Sequence, residues 1–299
     1  MNNENVDISE FSFSSLPACG FYEVLGKRGT GKTSWTKYIL QFSKYATVGI
    51  FTVMCGSETV RAAWGDVVHP MYLHDPSIQF LKTIHADRNA VLKAHRKKKT
   101  SPMDVEHMTL ILDDVASNKK IMRSPELAYL ASNSRHLHMT VFLLAQYHCQ
   151  IPAEIRSQND YLFMLTTVDK KTIKRIYEEY VSMCDLRVFK AVVTYCTADR
   201  GLLVINNQCI GNTLSDVCYS ARISNYSTLQ IPTMGPSELW EFADRRYIDD
   251  DIVLPPLPPP DDESCTPEGL CPDAPDQQKI KSTHRTFRDT KGVINIRSV

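Results

Sequence analysis

No apolar run in this 299-residue chain is long enough to cross a bilayer, because polar residues interrupt each one. Contact with a membrane is therefore not expected. The opening stretch, MNNENVDISEFSFSS, carries acids and no basic residue ahead of its apolar positions, so no secretory signal is expected. Nine cysteines occur, but none forms a CxxC pair. Cys265 and Cys271 are spaced C-x5-C without a histidine at metal-ligand spacing, which argues against a zinc site. Most of the others sit among apolar neighbours, where a free thiol behaves as a small hydrophobe. The expectation is a reducing, intracellular compartment without a disulfide framework. No repeat at a solenoid period is visible.

Net charge is absent too, with 34 Lys and Arg against 34 Asp and Glu, but the balance is uneven along the chain. Residues 1–248 carry 28 basic and 24 acidic side chains. Residues 249–276 hold nine acids and no Lys or Arg, and residues 277–299 hold six bases and one acid. A neutral total therefore leaves room for an anionic partner on the folded part. Hydrophobic content of 43% and charged content of 23% fit one globular domain with an appendage. Three regions are expected: a lead-in at 1–19, a domain at 20–251, and a proline-rich tail at 252–299 that reads as largely disordered.

Within the domain, FYEVLG (21–26), TVGIFTVMC (47–55), MTLILDDV (108–115), TVFLLAQ (140–146) and YLFMLTT (161–167) read as buried strands. Helical patterns alternate with them: about Lys32 to Phe42, IQFLKTIHADRNAVLKAH, PELAYLASNSRH and KKTIKRIYEEYVSM. That alternation predicts an α/β fold, a mostly parallel sheet with helices on both faces. FKAVVTYCT and GLLVINN flank ADRG and read as a C-terminal antiparallel hairpin on the sheet edge.

The strongest signal is GKRGTGKTS, which spans Gly26, Lys27, Arg28, Gly29, Thr30, Gly31, Lys32, Thr33 and Ser34 and matches G-x-x-x-x-G-K-[ST]. Glycine is needed where the loop turns sharply to aim backbone N–H groups at phosphate oxygens. The helix behind adds its partial positive charge. Lys32 is expected to reach the β- and γ-phosphates of ATP, and the Thr33 hydroxyl to hold Mg2+. LILDD supplies Asp113 as the second metal ligand and Asp114 as the acceptor of a proton from attacking water. Gln146 closes the next strand, where a carboxamide can donate to the γ-phosphate and accept from water. Arg135 precedes the same strand, far from its own subunit's nucleotide, and is a candidate arginine finger for a neighbour. Arg156 in IPAEIR is a second candidate. Arg135 can equally be a surface residue paired with local acids.

The loop, LILDD, SRHLHMTVFLLAQ and IPAEIR together resemble the FtsK–HerA class of DNA-pumping ATPases, and more closely the genome-packaging ATPases of poxvirus-type large DNA viruses and related virus-like elements. The resemblance covers about residues 20–206. It implies a RecA-like P-loop NTPase core that hydrolyses ATP to move double-stranded DNA into a capsid. It further implies a homo-oligomeric ring of five or six subunits, a capsid docking partner, and work in the host cytoplasm or at a viral assembly site. Many members of the wider class have Glu where Asp114 stands, one methylene longer. Residues 56–107 and the tail match nothing in that class.

DNA grip requires basic side chains facing phosphates. HRKKKT (95–100), with Lys93 and Arg88 before it, is the first candidate; Lys119, Lys120 and Arg123 are the second. Two other functions fit a phosphate loop: a nucleoside or small-molecule kinase, and a non-catalytic assembly protein switched by bound nucleotide.

Overall fold

Residues 2–98, 105–166, 169–223, 230–246, 284–289 and 292–298 are described in a computed structural model of the chain. In chain order the strands are β1 (Asn2–Ile8), β2 (Gly20–Leu25), β3 (Ile50–Cys55), β4 (Leu73–His74), β5 (Met108–Asp113) and β6 (Met139–Ala145). They continue with β7 (Tyr161–Met164), β8 (Leu202–Asn206), β9 (Cys218–Ala221), β10 (His284–Asp289) and β11 (Gly292–Ser298). The helices are α1 (Lys32–Leu40), α2 (Glu58–Trp64), α3 (Ile78–Lys98), α4 (Lys119–Met122) and α5 (Pro125–Asn133). After them come α6 (Ala153–Arg156), α7 (Lys170–Tyr180), α8 (Leu186–Cys196), α9 (Leu214–Val217) and α10 (Ser237–Asp244).

The main sheet has the order β4-β3-β5-β6-β2-β7-β8-β9. Neighbouring pairs from β4 to β7 are parallel, and β7–β8 and β8–β9 are antiparallel. Strand side chains alternate between two apolar clusters, as a pleat of period two demands. Leu110 and Leu112 of β5 and Val141 and Leu143 of β6 join one cluster, beneath α3, α5, α7 and α8. Ile111, Phe142, Leu144 and Val24 join the other, beneath Trp35 and Ile39 of α1 and Trp64 of α2. With both faces covered, continuous apolar strands are stable; each fully buried large side chain contributes roughly 1.5–3 kcal/mol.

This order positions the site. Because β6 lies between β2 and β5, the residue that follows it falls between the glycine loop and Asp113. Register keeps the three ends level: Leu25 pairs Ala145, and Leu112 pairs Leu143.

Two expectations require correction. FKAVVTYCT is not a strand but the body of α8, where Val188, Phe189, Val192, Val193 and Cys196 recur at helical spacing and are buried. Asp185 caps it, accepting the Arg187 N–H at 2.9 Å. Its β-branched composition concealed that period. The antiparallel hairpin at the sheet edge is instead β8 with β9, and ADRG is the 3-10 turn that joins α8 to β8.

The tail departs from its expected disorder at His284–Asp289 and Gly292–Ser298. There β10 and β11 form a three-stranded sheet with β1, ordered β1-β11-β10. The alternation of Ile294 and Ile296 with Asn295 and Arg297 is short, and the proline- and acid-rich stretch that precedes it masks it. Both isoleucines are buried beside Ile8 in the core under α8. The 252 boundary, the proline run, Cys265 and Cys271 lie outside the described residues.

Replacing Ile296 by Ala should therefore lower unfolding stability by about 2–5 kcal/mol, read as a shift of the urea midpoint at constant slope. An unmoved midpoint would detach this strand from the core.

Candidate active site

β2 ends at Leu25, and the chain turns at Gly26, whose N–H donates to Ala145 O at 3.1 Å. A Cβ at Gly26 would stand 2.7 Å from Thr30 Oγ1 and 2.9 Å from Leu165 Cβ, so no larger residue fits. Gly29 and Gly31 adopt φ of 78° and 93°, the left-handed region glycine favours. At Gly29 an added Cβ would meet nothing within 4 Å, so this face of the loop looks onto open space. The loop is braced from within: Thr30 Oγ1 donates to Lys27 O at 2.8 Å. Lys32 folds back over it, its Nζ donating to Gly26 O at 2.9 Å and Lys27 O at 3.1 Å. Burial lowers the Lys32 pKa, and Asp113 and Asp114 oppose that shift.

Arg28, Gly29, Gly31, Lys32, Thr33 and Ser34 line a cleft of about 590 Å3. Its opposite wall comes from Asp113, Asp114, Gln146 and Gln150, and α2 contributes Thr59, Val60 and Ala63. The structure thus brings the loop, both acids and Gln146 together, as the spacing predicts.

Asp113 is 3% exposed, and its Oδ2 accepts from Thr33 Oγ1 at 2.8 Å and from Trp64 Nε1 at 3.0 Å. Burial raises its pKa, against the lowering pull of those two bonds and of Lys32. A hydroxyl beside a carboxylate is an oxygen-only donor pair, the kind Mg2+ takes alongside substrate phosphates. The next residue, Asp114, is exposed to the cleft and adopts φ of 58°, uncommon for a non-glycine side chain. Its backbone is fixed by the residue that follows β3: Gly56 N–H donates to Asp113 O at 2.9 Å, and a Cβ at Gly56 would stand 2.0 Å from Asp114 O.

Past β6, the Gln150 side chain accepts the N–H groups of Gln146 and Tyr147 at 3.2 and 3.0 Å, holding the turn that presents Gln146. Arg135 lies at the other edge of the sheet. Its guanidinium meets Asp160 Oδ1 at 2.6 Å, and Asp160 also accepts Phe21 N–H near the start of β2. About half of the Arg135 side chain stays exposed, at 54%. Arg156 is held by Glu179 and by Ile151 O.

Among the basic candidates, Arg88 is corrected: it is buried on α3 and donates to Leu137 O and Glu106 O at 3.0 and 2.5 Å. One helical turn of apolar neighbours turns it inward. His95, Arg96, Lys97 and Lys98 close α3, while residues 99 and 100 lie outside the described set. Sequence reasoning missed Trp64 and Gln150. Trp64 sits in the unassigned 56–107 stretch, where only its position after strand β3 hinted at the site; Gln150 gave no signal.

Asp113→Asn should raise the thermal midpoint of the ligand-free chain near neutral pH while weakening Mg·ATP-dependent turnover. The carboxyl pKa is raised in the fold, so the folded state disfavours the charged form, and its cost is present above that pKa. The gain over wild type should shrink as pH falls and Asp113 takes up a proton. Differential scanning calorimetry across pH 4–8 reads this (roughly the span over which a raised carboxyl titrates).

Comparison with known proteins places the chain. Residues 8–227 match the family described as poxvirus A32 protein. Protein 075L of Invertebrate iridescent virus 6 is 28% identical over 229 residues, covering 75% of this chain and 84% of that one. Protein L437 of Acanthamoeba polyphaga mimivirus is 22% identical, over 72% of this chain and 77% of its own. Among solved structures, the genome packaging NTPase B204 from Sulfolobus turreted icosahedral virus 2 in complex with AMP superposes with a TM-score of 0.50. It is 15% identical and covers 69% of this chain and 98% of that chain, which supports the RecA-like P-loop fold. The chain belongs to the poxvirus A32 protein family.

Proposed function

We propose that this protein hydrolyses ATP to drive double-stranded DNA into a viral capsid. The observation that carries the reading is the convergence of Lys32, Thr33, Asp113, Asp114 and Gln146 on one cleft at the end of three adjacent strands. A kinase would need a second acceptor site there, whereas this set is complete for water. In the fold relative B204, described as a genome packaging NTPase, AMP is bound, which supports a nucleotide in the same crease.

Each residue has a role that follows from its place. The loop amides of residues 27–33 and the start of α1 receive the phosphates. Lys32 moves from the Gly26 and Lys27 carbonyls to the β- and γ-oxygens, and its lowered pKa reflects a charge half removed from water and ready for an anion. Thr33 and Asp113 would hold Mg2+, which supplies positive charge against the developing negative charge of phosphoryl transfer. Asp114 accepts the proton of attacking water, and Gln146 orients that water against the γ-phosphate. Arg135, on the far edge, serves the nucleotide of a neighbouring copy in a ring; to do so it exchanges Asp160 for phosphate. Lys93 and the basic end of α3, or Lys119, Lys120 and Arg123 beyond the acid pair, grip the duplex backbone. The work takes place in the host cytoplasm or at a viral assembly site, where a capsid partner would dock.

ATP hydrolysis measured with and without long duplex DNA tests this. Duplex should stimulate turnover, and Asp114→Asn should keep Mg·ATP binding while losing roughly 10²–10⁴-fold in rate. Phosphorylation of an added nucleoside without DNA stimulation would establish the kinase instead. Binding of ATP with negligible turnover under all conditions would establish the assembly switch. Arg135→Ala should lose activity alone and recover it when mixed with Lys32→Ala subunits, since each copy supplies what the other lacks. No recovery at any mixing ratio would remove the finger from Arg135.

A further inference from the structure

Two residues past Gln146, a charged cluster lies inside the protein, away from the nucleotide cleft. Glu23 sits midway along β2, the strand that delivers the glycine loop, and is fully buried. It shares a face with Phe21 and Leu25, so the pleat turns it into the core. His148, equally buried, bonds through Nδ1 to Glu23 Oε1 at 2.8 Å and through Nε2 to Glu179 Oε2 at 2.7 Å. α7 supplies Glu179. α6 supplies Arg156, which donates to the two Glu179 oxygens at 2.8 and 3.1 Å.

Ionised carboxylates can only accept, so an imidazole that bonds to one on each side donates from both nitrogens. That species is the imidazolium. With it, two acids balance one imidazolium and one guanidinium. Without it, Glu23 would be an uncompensated charge inside the sheet, and its Oε2 already has no partner among the described residues. Breaking such a buried pair is strongly destabilising.

The cluster touches the chemistry through one short turn. Residues 146–151 turn once: Gln146 lines the cleft, Gln150 ties down the N–H groups of 146 and 147, and His148 points inward between them. We propose that His148 is a positioning residue for hydrolysis: held between Glu23 of β2 and Glu179 of α7, its imidazolium fixes the turn that aims Gln146 at the γ-phosphate. This rests on the ATPase reading above. The clamp ties the strand that feeds the phosphate loop, the turn that faces the γ-phosphate, and α7 into one unit.

Burial works against the charged ring, but the bonds to Glu23 and Glu179 outweigh it and leave the His148 pKa above its ordinary value. The groups that face it are Glu23 from β2, Glu179 and Tyr180 from α7, and Arg156 from α6. Its folded pKa is raised, so the clamp is intact below that pKa and lost as pH rises through it. Turnover should therefore fall on an alkaline limb.

The full-length chain, labelled with 15N and 13C at histidine, should show a doubly protonated His148 ring at pH 7, assigned by its absence from His148→Gln. Both His148→Gln and Glu179→Gln should lower kcat by about tenfold to a hundredfold with KM for ATP changed less than about twofold, because the loop that binds the phosphates is built elsewhere. In Glu179→Gln the alkaline limb should move to lower pH, a shift that loss of packing alone would not produce. If His148→Gln does not fold, Glu179 lies at the rim, 30% exposed, and its variant carries the kinetics. A neutral ring at pH 7, or an active wild type whose kcat and alkaline limb survive Glu179→Gln unchanged, overturns the clamp. A wild type without any ATP turnover overturns the ATPase reading instead.

Discussion

The hydrogen bond from Thr33 to Asp113 closes the site across 80 residues of sequence. It joins the first turn of α1 to the end of β5, although β2, the strand that leads to α1, is separated from β5 in the sheet by β6. Everything on the cleft wall depends on that distance being short. A hydrogen bond to a charged group contributes about 1.5–3 kcal/mol, and here it also sets where a cation would be shared by hydroxyl and carboxylate. Trp64 completes it: by donating to the same Oδ2, the indole limits the carboxylate to one orientation.

Burial at this junction acts in opposite directions on the two charges it holds. It raises the Asp113 pKa and lowers that of Lys32, so each is held in an environment that resists its ionised form. A chain selected only for stability would replace both. Their presence together fits the proposed site, whose charge phosphate and a cation would compensate, and the left-handed backbone at Asp114 is of the same kind. Gly56, just past β3, is the counterpart: it is small because the strained peptide of Asp114 lies against it.

How much of this was legible in the sequence depended on the range of the signal. Gly26 to Thr33, Asp113, Asp114 and Gln146 were readable because each stands at the end of a continuous apolar strand, and parallel strands with helices between them put such ends on one edge. The helix at 186–196 was not readable as one, since Val192 and Val193 satisfy both a strand and the buried face of a helix; only the Asp185 cap separates the two. The pairing of β1 with β11 joins opposite ends of the chain, and no local pattern encodes a contact over that separation. Trp64 and Arg88 were hidden for the same reason: an indole N–H or a guanidinium declares its role only through the carboxylate or carbonyl that tertiary structure brings to it.

The two buried charge centres lie on either side of the turn that follows β6, and they differ in one respect. Around Asp113 the bonds from Thr33 and Trp64 and the charge of Lys32 only partly offset burial, and the proposed cation would supply the rest. Around Glu23 the protein supplies its own partner, His148, which Glu179 holds from the other side with Arg156 behind it. A site that must change its charge state with each turnover needs a neighbour that does not, or the turn carrying Gln146 would relax with every arrival and departure of phosphate. A neutral apolar packing of the same turn would not give that direction-specific restraint. Two carboxylates on opposite sides of one imidazolium hold the ring in its plane and along one axis, and β2 and α7 are the elements so joined.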